Sequence, residues 1–235
     1  MENDLISPLH LEFYGLPGCG KSTVSHKLAE ELRKLEYKVD EPSYEIDRVK
    51  GGSLVRKLNK VLMLGLYRIL KRDQYTFVKD IVAKNGYVGK SCLSQEINIV
   101  HKLRTYNSKS QADIIIWDQG LVQAAVSLST NGNVPSFDNY IALKEACSES
   151  HVYPIYMKCD IDTALKRMDG RNTNDSRVER LKTEDDKREM LRGIEVCCDN
   201  VLSDVSFEID CKNESLDSIN SILLNKVIEI VKRNQ

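Results

Sequence analysis

The sequence predicts a three-layer α/β architecture, a central parallel sheet of about five strands flanked by helices. Three observations carry this. Five short runs of β-branched and aromatic character alternate with helical stretches, the order of βαβ units joined by right-handed crossovers. One run, Ile114-Ile115-Ile116-Trp117, is continuously apolar, as suits a strand covered on both faces of a parallel sheet. The first run ends in a glycine-rich turn that opens directly onto an amphipathic stretch.

Taken in order, the strand runs are Leu9–Tyr14, Tyr37–Asp40, Asp113–Trp117, Val152–Met157 and Ser206–Ile209. Between the first two, Lys21–Leu35 places Val24, Leu28 and Leu32 at a four-residue spacing, which predicts a helix. The interval from the second run to the third is long and needs two or more helices of its own, an insertion at about 48–110 that lies over a site. Within it Leu54–Leu70 reads as an amphipathic helix, with Leu54, Leu58, Val61, Leu62 and Ile69 as its core stripe and Lys57, Lys60, Arg68 and Lys71 on the solvated face. Arg48 to Arg72 holds Arg48, Lys50, Arg56 and four further cations besides Arg72, and no acidic residue. Such a stretch is most simply a solvated face over a core stripe; as a functional feature it suits an anionic ligand better than a membrane surface. Further helices are expected at Leu121–Leu128 and Leu216–Val231.

Composition narrows the class. The 235 residues suffice for one α/β domain, and no Pro-, Ser- or Gly-rich linker divides them, so a single domain over 1–235 is expected. With 34 Lys+Arg against 35 Asp+Glu the net charge is −1, which argues against bulk nucleic-acid binding. No apolar run reaches the roughly eighteen residues of a membrane span. Met1-Glu2-Asn3-Asp4 leads into no signal-peptide core. Seven cysteines without a CxxC pair argue against a disulfide framework and a zinc site. A cytoplasmic protein with reduced thiols follows, and a homodimer is compatible with it.

The chemistry begins where the first strand ends. Gly15-Leu16-Pro17-Gly18-Cys19-Gly20-Lys21-Ser22-Thr23 matches GxxxxGK[ST]. Glycines let successive backbone N–H groups turn inward around a phosphate, and the helix that follows adds its positive end. Gly15, Pro17, Gly18, Cys19, Gly20, Lys21, Ser22 and Thr23 are therefore the nucleotide-binding candidates. Lys21 is expected to reach the β- and γ-phosphates, and the Ser22 hydroxyl to ligate Mg²⁺. Asp118 ends the third strand, where a second metal-directed carboxylate belongs; it also suits a cap for the helix at Leu121–Leu128. Gln119 stands where a hydrolytic motor would carry a water-activating Glu. Neither DxxG nor an NKxD-type base reader, both required of a GTPase, occurs in the sequence.

Together these residues resemble the P-loop nucleoside and nucleotide kinases, with thymidylate and deoxynucleoside kinases as the nearest likeness. Four landmarks follow the family's order across essentially the whole chain. They are the phosphate loop, Glu41-Pro42 after the second strand, Asp118-Gln119-Gly120 in place of an Asp-Arg or Glu-Arg pair, and Ala164-Leu165-Lys166-Arg167-Met168 with Arg171 after the fourth strand. The resemblance implies a P-loop NTPase fold with a helical acceptor-side insertion and an arginine-bearing LID at about 167–182. It also implies ATP and Mg²⁺ as cofactors, and adenine held near Ile209–Glu214. Lys21, Glu41, Asp118, Arg167, Arg171 and Arg177 become the catalytic candidates, with Ser22 and Asp118 as metal ligands. Either Glu41 or Asp118 would take the proton of an attacking hydroxyl.

Gln119 departs from the family pattern, because an acceptor phosphate wants the arginine it replaces. The expected reaction is ATP- and Mg²⁺-dependent phosphoryl transfer to a small anionic or nucleoside-like acceptor. The alternatives are a kinase of another small metabolite and a nucleotide-binding switch or ATPase with no acceptor.

Overall fold

Seven consecutive buried residues, Leu9–Gly15, form β1 in the middle of the sheet. A computed structural model describes residues 8–43, 53–108, 110–147, 151–170, 176–201 and 207–234, with the backbone alone at 53–61, 151 and 234. The other strands are β2 (Val39–Asp40), β3 (Ile114–Trp117), β4 (His151–Lys158) and β5 (Phe207–Asp210). Their order is β2-β3-β1-β4-β5, and every pairing is parallel. Leu9 stands level with Ile114 on one side and with His151 on the other. The chain goes outward in opposite directions from β1, which opens a crevice beyond the carboxyl ends of β1 and β3.

The helices are α1 (Lys21–Lys34), α2 (Ser53–Leu70), α3 (Arg72–Lys84), α4 (Gly89–Tyr106), α5 (Leu121–Ser129), α6 (Ser136–Glu145), α7 (Ile161–Asp169), α8 (Glu184–Asp199) and α9 (Leu216–Asn234). In α1 the predicted stripe of Val24, Leu28 and Leu32 is buried. That helix exits through Glu36 at φ 67°, and the Leu35 and Tyr37 N–H groups return to the Leu32 carbonyl. The exit turn consumes Tyr37, so β2 begins two residues later than its β-branched and aromatic character suggests. Ser206, expected to open the last strand, lies outside the described residues.

The long interval holds three helices, α2 to α4, as its length requires. One expectation is corrected there. Among the α2 side chains described, at 62–70, Leu64 and Tyr67 are buried, while Leu62 and Ile69 of the expected core stripe are 61% and 77% exposed; Leu54, Leu58 and Val61 lie outside the described side chains. Positions 64 and 67 are three apart and share a face, whereas 62 and 69 lie on the opposite side of the same helix. The helix is apolar on more than one side, so periodicity could not select the face that packs.

What holds α4 against the sheet matters for the site. Tyr106 stacks across both Trp117 and His10, with ring centroids 4.4 and 4.7 Å away. The Trp117 indole N–H donates to His10 Nδ1 at 3.1 Å. Burial lowers the His10 pKa to about 4, so the ring stays neutral and accepts. Each aromatic pair contributes about 1 kcal/mol beyond its burial. The four residues that α4 turns toward the crevice, Ser94, Gln95, Asn98 and Lys102, are thereby set relative to β1 and β3.

Candidate active site

The loop after β1 owes its shape to close approaches. A Cβ on Gly15 would lie 2.3 Å from the Met157 carbonyl oxygen, and one on Gly18 would lie 2.5 Å from that of Ala164. Both glycines have positive φ, as has Gly20 at φ 101°, the residue before α1. Lys21 folds inward, its ammonium donating to the carbonyls of Gly15 at 2.9 Å and Leu16 at 2.8 Å. The side chain is largely buried, so one cation stands inside a ring of backbone at the mouth of a helix N-terminus.

Cys19 lies under this ring. The Cys159 thiol donates to it, and the Lys21 ammonium approaches its sulfur to 3.6 Å. These partners outweigh burial and hold the Cys19 thiol below the usual range, while the Cys159 thiol is pushed up. The contact that matters most is another cysteine 140 positions away.

Ser22 and Asp118 meet across the two central strands. The Ser22 hydroxyl donates to Asp118 Oδ2 at 2.7 Å. The other carboxylate oxygen, Oδ1, is buried and has no hydrogen-bond partner among the described residues. An orphaned carboxylate oxygen beside a serine hydroxyl is a donor set for a small hard cation, so these residues fit Mg²⁺. When bound, that ion would neutralise charge on the β- and γ-phosphate oxygens.

Asp118 is not the cap of α5. The N–H groups of Leu121 and Val122 donate instead to Glu12 of β1, at 3.0 Å to Oε1 and 2.8 Å to Oε2. Glu12 is fully buried, and burial raises its pKa to about 7 against those two bonds and the Lys102 charge, which lower it. Lys102 itself donates to the Gln119 carbonyl. Neither residue is singled out by motif. A carboxylate at the centre of Leu9–Gly15 is the sequence signal that could have revealed Glu12, and Lys102 leaves none.

Above the loop a cleft of about 400 Å³ runs between α4 and α5. Its walls carry Ser94, Gln95, Asn98 and Lys102 on one side and Gln119, Gln123 and Ser127 on the other. Gln123 also accepts from the Gly15 N–H at 3.0 Å, which ties α5 to the phosphate loop. Arg177 and Arg180 close the far end. The Arg177 guanidinium donates to the Tyr87 hydroxyl, the Ser127 carbonyl and hydroxyl, and the Thr130 hydroxyl, over 2.8 to 3.1 Å. It thus joins the segment after α7 to the carboxyl end of α5, where the helix dipole favours a cation.

The chain has the fold of known solved proteins. A deoxyadenosine kinase from M. mycoides, solved with bound dATP, has a TM-score of 0.54 at 19% identity, over 94% of this chain and 99% of that one. A thymidylate kinase from Candida albicans has a TM-score of 0.54 at 11% identity, over 97% and 94%. This is the P-loop kinase fold. No protein-family model matches the sequence, nor does any curated protein sequence.

Within the P-loop kinase fold the remaining candidates divide. Arg167 lies behind the phosphate loop rather than in the cleft, donating to the carbonyls of Cys19 at 3.3 Å and Cys211 at 2.8 Å. It joins the loop to the turn after β5. Glu41 is buried beside α1, where Arg33 Nη1 donates to Oε2 at 2.7 Å and His26 Nδ1 lies 3.1 Å from Oε1. Thr23 opens α1 on the exposed side, its N–H donating to the Gly20 carbonyl. Arg171, Arg48 and Lys50 lie outside the described residues. Among the described residues no helix is long and apolar enough to cross a membrane.

Proposed function

We propose that this protein transfers the γ-phosphoryl group of Mg²⁺-bound ATP to the hydroxyl of a small acceptor held between α4 and α5. The contact of Ser22 with Asp118, beside the Lys21 ammonium and one end of the cleft, carries this reading. In it Lys21 and the backbone N–H groups of the loop hold the triphosphate, and Ser22 and Asp118 hold the cation. The reaction asks the protein for positioning and charge neutralisation, which these groups supply. The named solved relatives favour a nucleoside or nucleotide as acceptor. The cleft favours a nucleoside, because its α4 and α5 walls carry chiefly amides and hydroxyls and Arg177 is already committed to four acceptors. Asp118 is the carboxylate at the reacting end. Glu41 is instead a buried carboxylate paired with Arg33 and His26 beside α1.

The test is a transfer assay with Mg²⁺ and ATP over a panel of nucleosides, nucleoside monophosphates and unrelated hydroxylated metabolites. Acceptor-dependent ADP release with a nucleoside is expected. ATP hydrolysis indifferent to every acceptor would replace this reading with that of a switch or ATPase.

Arg177 is assigned to closing the LID over the cleft. Arg177→Ala is expected to lower kcat about tenfold, since several charge-assisted bonds are lost together. Arg177→Lys should restore little, because one ammonium cannot span acceptors on Tyr87, Ser127 and Thr130. Steady-state kinetics of the two variants checks both expectations.

A further inference from the structure

Glu12 has no role in the phosphate loop, yet its placement is the most constrained of any charged group described. It is 0% exposed, both carboxylate oxygens accept backbone N–H groups of the first turn of α5, and its side chain fills the space a Cβ on Gly120 would need, at 2.3 Å. Lys102 grips the same turn from the cleft side through the Gln119 carbonyl. Between them these two side chains hold every residue from Gln119 to Val122, immediately after Asp118. A turn held only to satisfy a helix end would need one neutral acceptor, such as serine or asparagine. A buried carboxylate is a costly way to meet that need.

We propose that Glu12 and Lys102 clamp the turn that follows Asp118, and that ionised Glu12 is a positioning residue for phosphoryl transfer. This rests on the reading under Proposed function. The ionised carboxylate can accept both N–H groups; the neutral acid would present a hydroxyl to one of them. Protonation therefore loosens Leu121 and Val122, and with them the approach of Asp118 to Ser22.

The groups facing Glu12 are Lys102 from α4, Tyr140 from α6 and Cys147 just beyond α6. Burial pushes the Cys147 thiol up to about 12 and the Tyr140 phenol higher, so both stay neutral near pH 7. Lys102 is then the one charge facing the carboxylate among these groups, and it lowers a pKa that burial raises from 4.5 to about 7. The sign follows. A raised value in the folded state means that the contribution of Glu12 to stability is complete below about pH 4.5 and is lost as pH rises through about 7. Activity and stability thus run in opposite directions across neutrality, which a merely structural carboxylate would not produce.

The experiment compares wild type with Glu12→Gln, in kcat and in melting temperature, from about pH 5 to about pH 9. The ratio of the two kcat values cancels the titration of ATP itself. We expect the ratio to be within about twofold of unity below about pH 6 and to rise to about tenfold above about pH 8. Over the same range the variant should gain melting temperature relative to wild type. A ratio that stays flat in a folded variant overturns the proposal and leaves the transfer reading standing, since that reading fails only with Lys21 or the acceptor panel. Should Glu12→Gln fail to fold, Lys102→Met decides. Losing the cation should move the activity limb upward by about half a pH unit or more, and an unmoved limb overturns the clamp.

Discussion

Replacing Lys21 by alanine is expected to abolish the proposed phosphoryl transfer, by about a thousandfold or more in kcat/KM, and to leave the fold in place. The size of the effect follows from where the ammonium sits. It is largely buried, surrounded by carbonyl oxygens of the loop and placed at the start of α1, and no second lysine stands in the loop. Charge that develops on the transferred group would lose the most deeply buried lysine or arginine among the described residues, in a setting where water screens poorly. The loop itself does not depend on that cation. Its path is set by Gly15, Gly18 and Gly20 at positive φ and by the packing of Gly15 and Gly18 on Met157 and Ala164. Thermal melting of Lys21→Ala close to wild type, with turnover lost, is the expected pair of results. A folded variant that still turns over sinks the assignment.

The second large effect belongs to Asp118→Asn. Asparagine keeps the size of the side chain and an oxygen for the Ser22 hydroxyl, so folding should be untouched. It removes the negative charge and one oxygen from the place where Oδ1 has no hydrogen-bond partner among the described residues. A carboxylate with one engaged and one free oxygen can hold a cation; an amide presents a donor there instead. We expect kcat to fall by about a hundredfold and the Mg²⁺ concentration for half-maximal rate to rise by about tenfold. Rates measured over a Mg²⁺ titration check this. An unchanged Mg²⁺ dependence would remove Asp118 from the metal site while leaving the phosphate loop assignment intact.

Much of this molecule could be read before its fold was seen. β3 is four apolar residues in a row and α1 a stripe every fourth position, and both formed where those patterns lie, because local spacing reports directly which side of an element is buried. The phosphate loop was equally legible, since a backbone that must curl around an anion needs glycine at set intervals and a helix directly behind it. Strand order was not legible, since handedness rules fix how each crossover winds and not which strand lies beside which.

Residues that act through partners distant in sequence were not legible in the same way. Glu41 was noticed for the proline after it, and nothing local says that Arg33 and His26 would occupy its oxygens. The face of α2 could not be chosen, because apolar residues line more than one side of that helix. Arg177 reads as one of several arginines in a polar stretch. Only the placement of Tyr87, Ser127 and Thr130 on other elements makes it a bridge across the cleft. Glu12 is the extreme case, a carboxylate inside an apolar strand whose donors come from residues 109 and 110 positions later.

The sequence alone therefore determined the layered sheet and the glycine-rich loop after β1, and it pointed to Ser22 and Asp118, which the fold brings into contact. Sheet and loop depend on short-range spacing and on glycine's conformational freedom, which one stretch of chain contains in full. Tertiary structure decided which charges face the cleft, which are neutralised behind it, and what holds the turn after Asp118. Those outcomes turn on burial and on partners a hundred residues away, and electrostatic energy depends on distance and surroundings that no local pattern encodes.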